Sequence, residues 1–210
     1  MKENKSEMYK VRRKDIKKAA EVFSHAFYTD PLTQYMFPND ETRQNHSSHY
    51  FNFIISYGLK FGEVFAPSPK IEGLAIWYLS DKYEMTMFKQ LRAGGMRLYM
   101  NLKKETISRM MPIGRFSGGM HQKYGHFKHW YLSPIGVHPD YQGMGFGSLL
   151  IRTMLIRIDN EKLPCLLETQ NPTNVEIYKR FGFEVVVKET IPNTDIPHWV
   201  MVRQPKKLNI

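Results

Sequence analysis

The sequence predicts an α/β fold, on two observations. From Phe127 onward it reads strand, glycine-rich loop, helix, strand, helix, strand. Helices and a β-hairpin precede that run, and a site in such a pattern forms at strand ends. Phe127 to Leu132 is the first strand, and Ser133-Pro134 interrupts it before Ile135-Gly136-Val137. His138-Pro139-Asp140 makes a turn. The loop Gln142-Gly143-Met144-Gly145-Phe146-Gly147-Ser148 opens a helix running from Ser148 to Ile158. Leu163 to Thr169 is an apolar strand, and Asn174 to Phe181 is a short helix closed by Gly182. Glu184 to Ile191 and His198 to Arg203 end the run as antiparallel strands.

Upstream, Tyr9 to Arg12 reads as a short strand. Asp15 then caps a helix whose apolar residues Ile16, Ala19, Ala20, Phe23, Ala26 and Phe27 recur at helical spacing. Asp30-Pro31 ends that helix, because the residue before proline avoids helical dihedrals. A second helix covers Thr42 to Leu59, and Glu63 to Ala66 pairs with Lys70 to Leu79 around Pro67-Ser68-Pro69. Residues 81–125 differ in texture: Met-rich, with Gly94-Gly95 and Gly118-Gly119 as breaks. Two helices are expected there, near 81–93 and 95–110, their Met stripe forming core.

The 210 residues show no repeat and no linker, so one domain over 1–210 is expected. The lone Cys165 excludes an internal disulfide and suits a reducing compartment. Residues 1–14 lack the apolar core of a secretory leader. The stretch Phe51 to Phe61 is far short of the roughly 20 residues of a membrane span. A cytoplasmic protein without a membrane partner is therefore expected. The net charge of +10 attracts polyanions, but it is spread along the chain and decides nothing alone.

The glycine loop is more informative. Three alternating glycines before a helix let backbone N–H groups approach an anion, most naturally phosphate or pyrophosphate. The dinucleotide fingerprint fails, since Ser148 replaces its third glycine, and the ATP-binding loop fails for want of Gly-Lys-Ser/Thr. By itself the loop is equally a plain turn.

Its neighbours resolve this. The stretch Ile135 to Gly147, with Val137, Pro139, Gln142, Gly145 and Gly147 in their places, resembles the signature of the GNAT superfamily of acetyl-CoA-dependent acyltransferases. Asn171, Tyr178 and Gly182-Phe183 are similar to a second segment of that family. The likeness is strongest over 127–203 and weaker over 9–79, leaving 81–125 as a variable helical segment near the acceptor pocket. It implies a mixed, mostly antiparallel central sheet, splayed at its middle strands and flanked by helices. It also implies acetyl-CoA as co-substrate, held by the backbone of Ile135, Gly136 and Val137, by the loop Gln142, Gly143, Met144, Gly145, Phe146, Gly147 and Ser148, and by Asn171. Pro134 beside Gly136 would disturb regular pairing and free backbone groups for such a ligand.

The reaction implied is direct attack of a primary amine on the acetyl thioester. The resemblance places Tyr178 where it donates a proton to the leaving sulfur, as a phenol with a pKa of about 10 can. Glu168, at the end of its strand, is the candidate base. His129 and Tyr131 share one strand face and are weighed as bases too, with aromatic packing the commoner role. No acid lies between Phe127 and Val137, so a water-mediated route is open. The spacing of His126 and His129 sends them to opposite faces of a strand, His46 and His49 share a helical face without a third ligand nearby, and no metal is expected. Cys165 reads as a buried, inert thiol.

The acceptor is expected to be a small-molecule amine, with homodimerisation through the C-terminal strands open. The competing readings are a basic nucleic-acid-binding module and a CoA-ester-binding domain without catalysis. Against the former, no recognisable nucleic-acid motif is present.

Overall fold

A computed structural model describes residues 8–206, so the reading of residues 1–7 lies outside it. Seven strands form one sheet in the order β1-β2-β3-β4-β5-β7-β6. They are β1 (Tyr9–Lys10), β2 (Glu63–Ala66), β3 (Gly73–Leu79), β4 (Trp130–Val137), β5 (Cys165–Thr169), β6 (Glu184–Thr190) and β7 (Pro197–Arg203). Every neighbouring pair is antiparallel except β4 and β5. This is the mixed, mostly antiparallel sheet that the sequence implied.

Helices cover both faces. On one lie α1 (Ile16–Ala26), α2 (Pro31–Met36), α3 (Asp40–Phe61), α6 (Gly95–Asn101) and α7 (Lys104–Tyr124). On the other lie α8 (Phe146–Asn160) and α9 (Pro172–Lys179). The central strand β3 shows why both faces close. Its Leu74, Ile76 and Tyr78 enter the α1/α3 core, while Ala75 and Trp77 enter the α8 core. Alternation on a strand sends successive side chains to opposite sides. Each such large apolar side chain, fully buried, contributes about 1.5–3 kcal/mol.

The decisive feature is where β4 and β5 part. They pair from Trp130↔Cys165 to Leu132↔Leu167 and no further, although β4 continues to Val137 and β5 to Thr169. Beyond the split β4 stays paired with β3 through Ile135, Gly136 and Val137. The β3–β4 register shifts between Ala75 and Trp77, where Ser133-Pro134 adds a residue to β4. Proline has no N–H to offer a ladder, so pairing fails at the position the sequence marked. The strand itself is not cut there, contrary to expectation.

Gly136 has a second role. A Cβ on it would lie 2.9 Å from Phe27, 3.0 Å from Ala26 and 3.2 Å from Phe23, so it lets α1 press onto β4 beyond the split. Replacing Gly136 by Val is expected to cost about 1–3 kcal/mol through overpacking, measured by urea unfolding.

Several local expectations need correction. Asp15 does not cap α1; its carboxylate accepts from Arg12 N and Tyr9 Oη and closes the single 3-10 turn before the helix. α1 ends at Ala26, and Asp30-Pro31 starts α2 instead of ending a helix. Asp30 accepts from Leu32 N and Thr33 N, while proline at the first helical position loses no needed hydrogen bond. Residues 80–124 form four helices where two were expected: α4 (Ser80–Tyr83), α5 (Met87–Arg92), α6 and α7. The break comes after Asn101, and α7 then runs through Pro112 and Gly118-Gly119. The Met stripe is also not uniform core. Met120 is buried, but Met87, Met96, Met100 and Met111 are exposed.

Candidate active site

The parallel pair β4/β5 directs both carboxyl ends the same way, and the motif residues gather there. α8 begins at the glycine loop, with Gly145 as its N-cap at φ 84 and Gly143 at φ 79. These left-handed values are ones that L side chains avoid. A Cβ at either glycine would meet nothing within 4 Å, so conformation selects them and leaves the loop open to a ligand. The first-turn N–H groups of this 15-residue helix have no intrahelical acceptor and carry the positive end of its dipole. Together they can hold a diphosphate. Gly147, by contrast, has only an ordinary 3.7 Å contact to Val137. Met144 is exposed, with no contact to explain its place in the motif.

Gln142 folds back, its Nε2 donating to Val137 O at 3.1 Å. That ties the loop to the end of β4. Asn171 caps α9, its Oδ1 accepting from Thr173 N at 2.9 Å, which leaves its amide nitrogen for a ligand.

Tyr178 and Glu168 fall on opposite faces of the sheet. Tyr178 is buried with Cys165, Leu167 and Phe183 under α8 and α9, its ring edge-on to Phe183 at 5.9 Å. Glu168 shares the parity of Leu166 and so faces the α1/α3 side. Burial pushes the Tyr178 phenol up, and the Asp30 carboxylate adds to the shift. A phenol so placed stays protonated and able to donate.

Glu168 is enclosed, its side chain 5% exposed. His198 Nε2 lies 3.2 Å from Oε2, and His121 Nδ1, delivered by α7, lies 3.7 Å from Oε1. Burial pushes the Glu168 carboxyl up, but the two facing imidazoles more than reverse this and hold it below the usual range. Gln170 Nε2 donates to His198 Nδ1 at 2.8 Å, which puts the His198 ring proton on Nε2, toward Glu168. Around them Tyr83 and Tyr131 pack on the His121 ring at 4.7 and 4.4 Å, and Phe116 meets His198 at 5.2 Å. His129 joins the cluster as a neutral ring, its pKa lowered to about 4 by burial and then by His121, against a hydrogen bond to Phe127 O.

This cluster concentrates the unsatisfied polarity of the fold. Among the described residues, five buried side-chain polar atoms lack a hydrogen bond, and four are His121 Nδ1, His129 Nε2, Glu168 Oε1 and His198 Nε2. The imidazoles of His121 and His198 face this carboxylate, so most of the unpaired buried polarity lies within one ion-pair cluster. Asp30 is a further charge at this end of the sheet: it adds to burial in raising Tyr178, and to burial in pushing Tyr50 up to about 12. Two open clefts of about 520 and 530 Å³ lie elsewhere, beside Val185 and beside Trp130. The chemistry follows the strand ends.

His121, His198, Tyr83 and Asp30 were not singled out by sequence. His198 had a faint signal in its alternation with Val200 and Val202, whereas His121 lies beyond the expected end of any helix. Cys165 is buried, and burial pushes its thiol up, as expected for an inert residue. No cluster of three metal-ligating side chains with coordinating geometry occurs among the described residues.

Comparison with known proteins agrees with this geometry. Residues 111–185 match the family described as "Acetyltransferase (GNAT) domain". The uncharacterized N-acetyltransferase C550.08 of Schizosaccharomyces pombe is 28% identical over 205 residues, covering 94% of this chain and 83% of that protein. Among solved structures, a histone acetyltransferase HPA2 and related acetyltransferase from Corynebacterium glutamicum superposes with TM-score 0.62 at 18% identity, covering 97% and 98% of the two chains. The arylalkylamine N-acetyltransferase 2 of Aedes aegypti gives 0.59 at 11% identity, covering 95% and 99%. Split sheet, glycine-opened helix and sequence kinship converge: residues 111–185 match a GNAT acetyltransferase domain, and the chain is similar over most of its length to N-acetyltransferases.

Proposed function

We propose that the protein transfers the acetyl group of acetyl-CoA to the primary amine of a small-molecule acceptor. The observation that carries this reading is the parting of β4 and β5 beside a helix opened by Gly143 and Gly145. On one side of the gap stands a protonated phenol, and on the other an ionised carboxylate.

Acetyl-CoA, when bound, supplies an activated acyl thioester. Gly143 to Ser148 hold its diphosphate through backbone N–H groups, Gln142 braces the loop, and Ile135, Gly136 and Val137 offer their free backbone edge to the pantetheine arm. Asn171 bonds that arm through its amide. Glu168 takes a proton from the acceptor ammonium, directly or through water, leaving the amine free to attack. A backbone N–H on the open edge of β4 holds the carbonyl oxygen as it gains charge. As the C–S bond breaks, the Tyr178 O–H gives its proton to the departing sulfur, and the second proton shed by the attacking nitrogen restores the phenol. His121 and His198 hold the Glu168 carboxylate, and α7 covers the acceptor side, giving residues 81–125 their place beside the acceptor pocket. The whole chain works as one domain on this reading.

Calorimetric titration with acetyl-CoA at two salt concentrations, with duplex DNA in parallel, is the first test. The expected result is saturable one-to-one binding of acetyl-CoA. Gly145→Glu is expected to weaken it by about tenfold or more, since it puts a carboxylate at the anion site and a side chain at a left-handed position costing about 1–2 kcal/mol. Thiol release on mixing with a panel of amines then identifies the acceptor. Salt-sensitive DNA binding without acetyl-CoA binding would sink the proposal.

A further inference from the structure

We propose that the α5–α6 corner is a docking surface for an anionic lipid surface, which the chain reaches without inserting a helix across it. Six of the thirteen large apolar side chains exposed among the described residues lie between Met87 and Met100. On α5 they are Met87, Phe88 and Leu91, and on α6 Met96, Tyr99 and Met100. Within each helix these positions fall on one arc of about 100°. Met87 is 79% exposed, Phe88 67% and Met100 73%, far more than a packed face would leave.

The corner stands off the body. α5 buries none of its residues, and α6 is anchored chiefly by Leu98, with Ala93 and Leu102 at the flanking turns. Gly94 at φ 97 makes the sharp turn between the helices, and a Cβ on Gly95 would strike Gln90 O at 2.9 Å. The sequence thus uses two special glycines to hold two apolar arcs in solvent, an arrangement that core packing does not require.

Charge selects the occupant. Between Glu84 and Glu105 the chain carries five Lys and Arg and no acidic residue. Arg92, Arg97, Lys103 and Lys104 are exposed, and Arg92 lies over the Phe88 ring at 5.6 Å. Exposed apolar side chains set among cations are what an interfacial helix presents to acidic headgroups. A second copy would bring the same cations face to face, and a nucleic acid would leave Met and Leu without a partner. Among the described residues no helix is long and apolar enough to cross a membrane, so contact by this corner is peripheral.

The test is co-sedimentation of the full chain with phosphatidylcholine vesicles, pure or containing about one third phosphatidylserine. Binding is expected with phosphatidylserine only, and it weakens steeply between about 0.1 M and about 0.5 M salt. Each basic side chain at such a surface is worth about fivefold, so Arg92→Gln with Arg97→Gln is expected to weaken binding about thirtyfold. Phe88→Ser with Met100→Ser removes the apolar part and is expected to weaken it at least about tenfold. Unchanged circular dichroism and acetyl-CoA affinity show that the variants fold. The proposal is overturned if neither vesicle is bound, or if binding survives Phe88→Ser with Met100→Ser and so reflects net charge alone. A concentration-dependent dimer abolished by the same pair, without vesicle binding, makes the occupant a second copy and equally overturns it.

Discussion

Tyr178→Phe is expected to lower turnover by about 10²- to 10⁴-fold, the usual worth of a positioned general acid. The ring stays, and with it the edge-on contact to Phe183 and the burial under α8 and α9. Only the O–H is lost. Acetyl-CoA affinity and unfolding midpoint should therefore hold while thiol release collapses. The upward shift of the phenol, from burial and then from Asp30, keeps the proton available through the physiological range. A donor with a better leaving group is the informative control: a thioester whose thiol is more acidic needs less help, so the variant should lose less with it. Equal turnover of variant and wild type would remove Tyr178 from the acid role and leave it a packing residue.

Arg203→Ala is expected to destabilise the fold by about 3–5 kcal/mol, because it strands a buried carboxylate. Arg203 joins Asp159 by two bonds, 2.7 and 2.8 Å, and donates to Phe181 O at 3.0 Å, so it ties the end of β7 to α8 and to the turn after α9. Burial pushes the Asp159 carboxyl up, while Arg203 and Lys206 N pull it back below the usual range. The sign follows: the folded form binds its proton less readily than the unfolded chain. The contribution is complete above the ordinary carboxylate pKa of about 4 and fades as pH falls through the lower folded value. Urea unfolding at stepped pH should show wild type and variant converging on the acid side only. The double variant Asp159→Asn with Arg203→Met, which strands no charge, should be more stable than Arg203→Ala alone. A gap between wild type and Arg203→Ala that stays constant into acid would refute this account.

Legibility of the site divided along the same line as sequence locality. The glycine loop was legible because its geometry is local: left-handed dihedrals at Gly143 and Gly145, and free N–H groups opening α8, lie within a few residues of one another. Asn171 and Tyr178 were singled out only through family likeness, since spacing alone allowed Tyr178 to be only a packed ring. The surroundings of Glu168 were not. His121 comes from α7 and His198 from β7, and their approach depends on packing between elements distant in the chain. Asp30 shows a subtler failure. Asp-Pro was read as a terminator, yet α1 has already ended at Ala26 and the pair starts α2.

The sequence by itself determined the α/β class, the strand and helix order after Phe127, the hairpin of β2 and β3, and the glycine loop that opens α8. These rest on periodicity, proline and glycine stereochemistry, and a local motif, all of which act over a handful of residues. Tertiary structure alone decided that Tyr178 and Glu168 lie on opposite faces of the sheet and that two imidazoles enclose the carboxylate. It also decided that Met120 packs inside while Met87 and Met100 face solvent. Methionine carries no polar or stereochemical signal of its own, so its side is set by which neighbouring helices reach it. Burial, ion pairing and face selection are properties of the folded whole, because each depends on what the rest of the chain brings into contact.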